Sequence, residues 1–177
     1  RFTDKTHGYI TGDNGLILKT TDAGENWTDV SFTHTSFAIK DAHFLSTDTG
    51  YICGEGGLVA RTSNGGDTWT TLQGSMGMGN ARSAIYFKDA LTGYVVGAGA
   101  TDAIQKTTDG GYTWTTLHDQ TPTELYDIQF TDSDTGYVAS SFGFGMTKPT
   151  DAGSGWFSLP RVNAESLYGL DFPSKKI

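Results

Sequence analysis

Twenty acidic residues, four histidines, one cysteine and the arginines Arg61, Arg82 and Arg161 are the groups from which this 177-residue chain could assemble a reaction centre. Glycoside hydrolysis needs two carboxyl groups flanking one bond, and Asp127, Glu124 and Glu165 supply such pairs. Nothing in their spacing separates them from the other acidic residues. His7, His34, His43 and His118 show no metal-ligand spacing; a solvated loop histidine is the plainer reading of His34 and His118, which fall at equivalent places. Cys53 stands alone, so no internal disulfide forms, and in a strand it reads as core filler rather than nucleophile. The glycines punctuate turns and none builds a phosphate loop. Tandem Asp-x-x-Gly turns suggest calcium, but the ligand spacing and closing Glu of an EF-hand are absent. Asn26-Trp27-Thr28 matches a glycosylation acceptor inside a tight turn, where it carries no meaning. The expectation is a chain with no catalytic residues, no metal and no cofactor, and therefore not an enzyme.

The elements that would have to position any site repeat. Tryptophans at 27, 69, 114 and 156 each close one motif: Thr20-Thr21-Asp22-Ala23-Gly24-Glu25-Asn26-Trp27, Thr62-Ser63-Asn64-Gly65-Gly66-Asp67-Thr68-Trp69, Thr107-Thr108-Asp109-Gly110-Gly111-Tyr112-Thr113-Trp114 and a worn copy from Pro149 through Asp151 to Trp156. Phe2, Phe44, Phe87, Phe130 and Phe172 run in step, spaced 42, 43, 43 and 42. So do the Gly-Tyr pairs at Gly8, Gly50, Gly93 and Gly136. A period this long means stacked supersecondary units. In residues 125–130 apolar and mixed positions alternate as in a half-buried strand. Thr131 to Gly136 is dense turn chemistry, Tyr137 to Ser140 a second strand, and Leu16 to Thr20 or Leu58 to Thr62 a third after a tight hairpin. Trp opens the fourth. Four strands per repeat is one propeller blade, which predicts an all-β propeller of four four-stranded blades at about 1–31, 37–73, 82–118 and 124–160 of one repeat domain, 1–177.

The S/T-x-D-x-G-x-T-W motif is similar to the Asp-box, or bacterial neuraminidase repeat. With its Phe, Thr-Gly-Tyr and Gly-x-Gly register, the chain most resembles the photosystem II stability/assembly-factor family. That resemblance implies a binding or assembly module acting outside the cytoplasm (periplasmic, lumenal or secreted), with a protein partner. Sialidases and sortilin-type receptors carry the same hairpin, but the Arg-Ile-Pro signature of sialidases is missing and Arg61 precedes a box. The boxes (Asp22, Trp27, Asn64, Trp69, Asp109, Trp114, Asp151, Trp156) read as fold punctuation: the acid folds onto nearby backbone N–H groups, glycine takes the awkward φ, Trp packs between sheets, and Asn64 keeps the cap without the charge.

A net charge of −8 disfavours nucleic acid and anionic membrane surfaces, and no apolar run approaches the ~20 residues of a membrane-spanning helix. Ser166 to Phe172 reads as a first strand without its blade, expected in parallel register beside residues 9–12, closing a four-bladed ring or exchanged between chains into a homo-oligomer; the third outcome is a piece of a larger ring of six to eight blades, as the resembled families have. Box turns and Thr-Gly-Tyr turns share one face; linkers and hairpins share the other, where sequence varies and sites tend to live. On that face Met76, Met78, Arg82, Phe142, Phe144 and Arg161 are the expected partner-binding residues. Two alternatives remain: a glycan-binding or sialidase-like propeller, and a structural subunit assembling head to tail.

Overall fold

A computed structural model describes residues 1–33, 35–72, 80–98, 103–118, 124–132, 135–141, 147–149, 156–158 and 165–172. The turn-bounded apolar runs form four antiparallel sheets. The first holds β1 (Gly8–Thr11), β2 (Ile17–Thr20) and β3 (Thr28–Asp29). The second holds β4 (Ile39–Phe44), β5 (Gly50–Gly54), β6 (Val59–Thr62) and β7 (Thr70–Thr71). The third runs β8 (Arg82–Phe87), β9 (Gly93–Gly97), β10 (Ile104–Thr107) and β11 (Thr115–His118), and the fourth β12 (Leu125–Phe130), β13 (Gly136–Ser140), β14 (Thr147–Pro149) and β15 (Trp156–Ser158). Each is an up-and-down meander. The fold is all-β and propeller-like.

The three sequence markers turn out to be parts of one joint. The Tyr of each Gly-Tyr pair packs on the next Phe in the series: Tyr9 stacks on Phe44 at 3.8 Å between ring centroids and Tyr51 on Phe87 at 3.5 Å, while Tyr94 meets Phe130 at 4.6 Å and Tyr137 meets Phe172 at 5.0 Å, both tilted. The same Phe meets its own sheet's Trp edge-on, Phe44 with Trp69 at 6.1 Å and Phe87 with Trp114 at 6.2 Å. Such geometries contribute beyond area burial alone. The glycine of each pair lies opposite the Phe in the ladder, and a Cβ on Gly50 would sit 2.4 Å from the Phe44 ring. Three apolar clusters follow, one between each pair of successive sheets. Stability is therefore built joint by joint, as in other repeat proteins.

Hydrogen bonds place the turns on two faces as the sequence predicts. Box turns bond to Thr-Gly-Tyr turns, Gly65 N–H to Asp48 O at 2.8 Å and Gly110 N–H to Leu91 O at 2.9 Å. Hairpins bond to linkers, Gly15 N–H to Phe37 O at 2.9 Å and Glu55 N–H to Ala38 O at 3.0 Å.

The ends differ from expectation. Residues 166–172 form no ladder with residues 9–12. Arg1 and Phe2 already hold that place: the Arg1 amine donates to Tyr9 O at 2.6 Å, Tyr9 N–H donates to Arg1 O at 2.8 Å, and Phe2 bridges Gly8. The first sheet thus has three strands and one bridge rather than four strands, which leaves Phe2 53% and Ile10 46% exposed. Residues 167–172 lie instead along the fourth sheet. Leu167 N–H donates to Ser140 O at 3.1 Å, Leu170 N–H to Asp127 Oδ2 at 2.7 Å and Phe172 N–H to Gln129 Oε1 at 3.1 Å.

Candidate functional site

The box turns are closed by their own side chains. In the first, Asp22 Oδ1 accepts from the Asn26 N–H at 2.9 Å and the Thr20 hydroxyl at 2.7 Å, while Thr20 Oγ1 takes the Gly24 N–H at 2.9 Å. Asp109 repeats this with Thr113 N–H at 2.9 Å and Thr107 at 2.8 Å. Asn64 makes the same set without charge, to Thr68 N–H at 2.9 Å and Thr62 at 3.0 Å. Trp27 and Trp114 donate from Nε1 to Gly24 O and Gly111 O at 3.1 and 2.9 Å. The bond from the Asn26 amide holds the Asp22 carboxyl down at about 2, and the Thr113 hydroxyl and amide do the same for Asp109. These cap bonds of Asp22, Asn64 and Asp109 all close within their own turn. Asp151 lies outside the described residues; Trp156 meets Phe130 edge-on at 6.3 Å.

Two acids of the inner strands, Asp41 and Asp127, serve as straps. Each inner strand carries a bulge after its first residue, which re-aims the side chain there. Asp41 accepts from Ala42 N–H at 2.8 Å and, across the joint, Ile85 N–H at 3.0 Å. Asp127 accepts from Ile128 N–H and Leu170 N–H, both at 2.7 Å. Asp41 is pushed up to about 6 by burial, against the pull of the Ile85 amide and Arg1, whose guanidinium lies 3.9 Å away. Glu124 accepts from the Tyr126 hydroxyl at 2.8 Å. Burial holds His43 down at about 4, so it is neutral at pH 7, its ring 4.8 Å from Tyr86. Cys53 is fully buried, with its thiol pushed well up by burial, which disarms it as a nucleophile. Among the described residues no cluster of His, Cys, Asp and Glu could hold a metal.

Of the six expected docking residues, Arg82 is corrected. It opens β8 and is fully buried, its carbonyl 3.7 Å from Cys53 Sγ, because the strand begins one residue earlier than the linker reading requires. Met76, Met78, Phe142, Phe144 and Arg161 lie outside the described residues. The linker face nonetheless presents two large apolar side chains that periodicity alone did not single out. Leu16 in the first hairpin is 37% exposed and Phe37 in the first linker 46% exposed. Their rim carries Glu55, paired with Lys40 at 2.9 Å.

Comparison with known proteins agrees with this geometry. Residues 1–85 match the family described as photosynthesis system II assembly factor YCF48. The chain is similar to that family. The solved structure of YCF48 bound to D1 peptide superposes with a TM-score of 0.73 at 20% identity, covering 95% of this chain and 55% of that one. An ancestral GH74 enzyme gives 0.71 at 16% identity over 92% of this chain and 24% of its own. The GH74 xyloglucanase from Xanthomonas campestris gives 0.63 at 13% identity over 84% and 27%. This chain spans about half the length of the YCF48 structure and about a quarter of the enzymes. No curated protein sequence matches. At these identities the enzymes and YCF48 alike establish the propeller fold.

Proposed function

We propose that this chain is a non-catalytic propeller scaffold that binds a protein partner, in the manner of an assembly factor. The observation that carries the reading is the match of residues 1–85 to the YCF48 family, a segment whose linker face presents Leu16 and Phe37 to solvent. Exposed aromatic and aliphatic anchors with a charged rim are what interfaces use. That YCF48 itself is solved with a D1 peptide supports a peptide or protein ligand. Met76, Met78, Phe142, Phe144 and Arg161 fall by sequence in the linkers and hairpin of the same face and belong to the proposed surface. The same resemblance supports an extracytoplasmic site of action; among the described residues no helix is long and apolar enough to cross a membrane.

The test is affinity capture with three baits: the unaltered protein, a Leu16→Asp/Phe37→Asp variant, and Leu91→Asp on the opposite face, where Leu91 is 60% exposed. A partner retained by the first and third baits and lost by the second is the expected result. Retention by the linker-face variant with loss on Leu91→Asp would overturn the reading. Head-to-tail assembly is the second reading; a concentration-dependent solution mass would separate it.

A further inference from the structure

Successive joints of a repeat protein act as templates for one another, and one template here has lost a part. At the joint of the first and second sheets, Lys19, just before the first box turn, pairs with Asp67 of the second at 3.6 Å. Aligning the copies carries Lys19 onto Arg61 and Asp67 onto Tyr112. At the next joint the cation is kept and the carboxylate has become a phenol.

Arg61 is left with an open place. Among the described residues no carboxylate lies within 4.0 Å of it, and its Nε is buried without a hydrogen-bond partner. Its guanidinium lies against the Tyr51 hydroxyl, and its charge and a hydrogen bond to that group draw back part of the upward shift that burial imposes there; no carboxylate of the described residues shares the site. In front of it is a cleft of about 70 Å³ lined by Ser63, Thr68, Thr70 and Tyr112. Thr68 Oγ1 accepts from Asn64 Nδ2 at 2.9 Å, which leaves its own O–H to donate. The turn that supplies Ser63 and Thr68 is the described copy with Asn64 where Asp22 and Asp109 are ionised, so its own cap adds no negative charge to the cleft. The volume is about that of two waters, room for one small oxyanion. A planar guanidinium fork matches a carboxylate better than a point charge does.

We propose that this cleft is a carboxylate seat: Arg61 takes a carboxylate from outside the chain in the place Asp67 fills for Lys19, with hydroxyl donors around it. The seat lies among the box turns, on the face opposite the proposed docking surface, and stands or falls separately from it. Its ligand is either an acidic side chain or a chain-terminal carboxylate.

The experiment follows the Arg Nε–H resonances by NMR during titration with acetate, inorganic phosphate, N-acetylalanine and N-acetylglutamic acid α-amide. Acetate should move the Arg61 signal and bind more tightly than phosphate. Arg61→Gln should weaken acetate binding at least tenfold, read on neighbouring backbone amides. Tyr112→Asp should weaken it similarly by supplying the missing carboxylate internally, and Tyr112 is 62% exposed, so the fold tolerates the change. Tighter binding of either amino-acid probe than of acetate supports the seat and names its source. Acetate binding unchanged in Tyr112→Asp or Arg61→Gln, or a preference for phosphate, overturns the proposal.

Discussion

The joint architecture makes one substitution at two repeat positions an internal experiment. Phe87 is 1% exposed, stacked on Tyr51 at 3.5 Å and edge-on to Trp114 at 6.2 Å. Phe2 occupies the same repeat position, but among the described residues no Tyr stacks on it. It is 53% exposed and keeps only the edge contact with Trp27, at 6.5 Å. Phe87→Ala deletes a fully enclosed ring, for which about 3–5 kcal/mol is usual. Phe2→Ala loses about half of a side chain's burial, near 1 kcal/mol. The expected difference of about 3 kcal/mol corresponds to a Tm gap of about 6–12 °C for a domain of this size. Urea unfolding followed by tryptophan fluorescence and far-UV circular dichroism together gives the midpoints, and coincident curves license the comparison, since repeat arrays need not unfold in one step. Equal losses at the two positions would refute the claim that the Tyr–Phe–Trp stack between sheets, rather than packing within each sheet, holds the molecule together.

Gly50→Ala should destabilise by about 1–3 kcal/mol through overpacking, because its Cβ would lie 2.4 Å from a Phe44 ring pinned by Tyr9. Gly169→Ala, with nothing nearer than 3.9 Å, should leave the urea midpoint unmoved. Asp22 and Asp109 are both held at about 2, below the usual 3.8. A lowered carboxyl gives stability that is present above about pH 4 and lost as pH falls towards 2. Asp22→Asn/Asp109→Asn should therefore flatten the urea midpoint between pH 4 and 2, copying the neutral cap at Asn64. Asp4, held low by the Thr6 and His7 amides, keeps part of the slope. An unaltered profile would mean the turns do not depend on ionised caps.

Periodicity carried the fold a long way because a blade cannot bury its faces alone, so every copy repeats the same contacts with its neighbour. The Phe, Gly-Tyr and Trp markers were legible as a register. That they form one stack was not, because Tyr9 and Phe44 meet across 35 residues of chain and only the packing of one sheet on the next brings them together. Asp41 and Asp127 were indistinguishable from 18 other acids until the bulges showed them reaching the amides of Ile85 and Leu170, 44 and 43 residues away. A signal existed in the acid recurring at one position of alternate inner strands, and it could have been found by aligning copies column by column. Arg82 was misread for a related reason: strand ends are the least determined part of a pattern, and a shift of one residue turns a linker side chain into a core one.

The same column-by-column reading shows where a repeat can acquire function. Positions that hold the joint, such as Phe87, Gly50 and Tyr51, cannot vary without loss of packing, because each contacts the neighbouring copy or its own ring. Columns whose side chains meet only a partner of opposite charge are freer: Lys19 with Asp67 is a surface pair worth little by itself, so replacing the acid by Tyr112 costs the fold almost nothing. What remains is a cation set by its strand, a ring of turn hydroxyls set by the box, and an opening shaped for the lost group. In a molecule of net charge −8, a seat for an anion needs local design of this kind, because the long-range field works against it. The boxes fix the geometry in each described copy, and one changed column is enough to turn an internal contact into an external one.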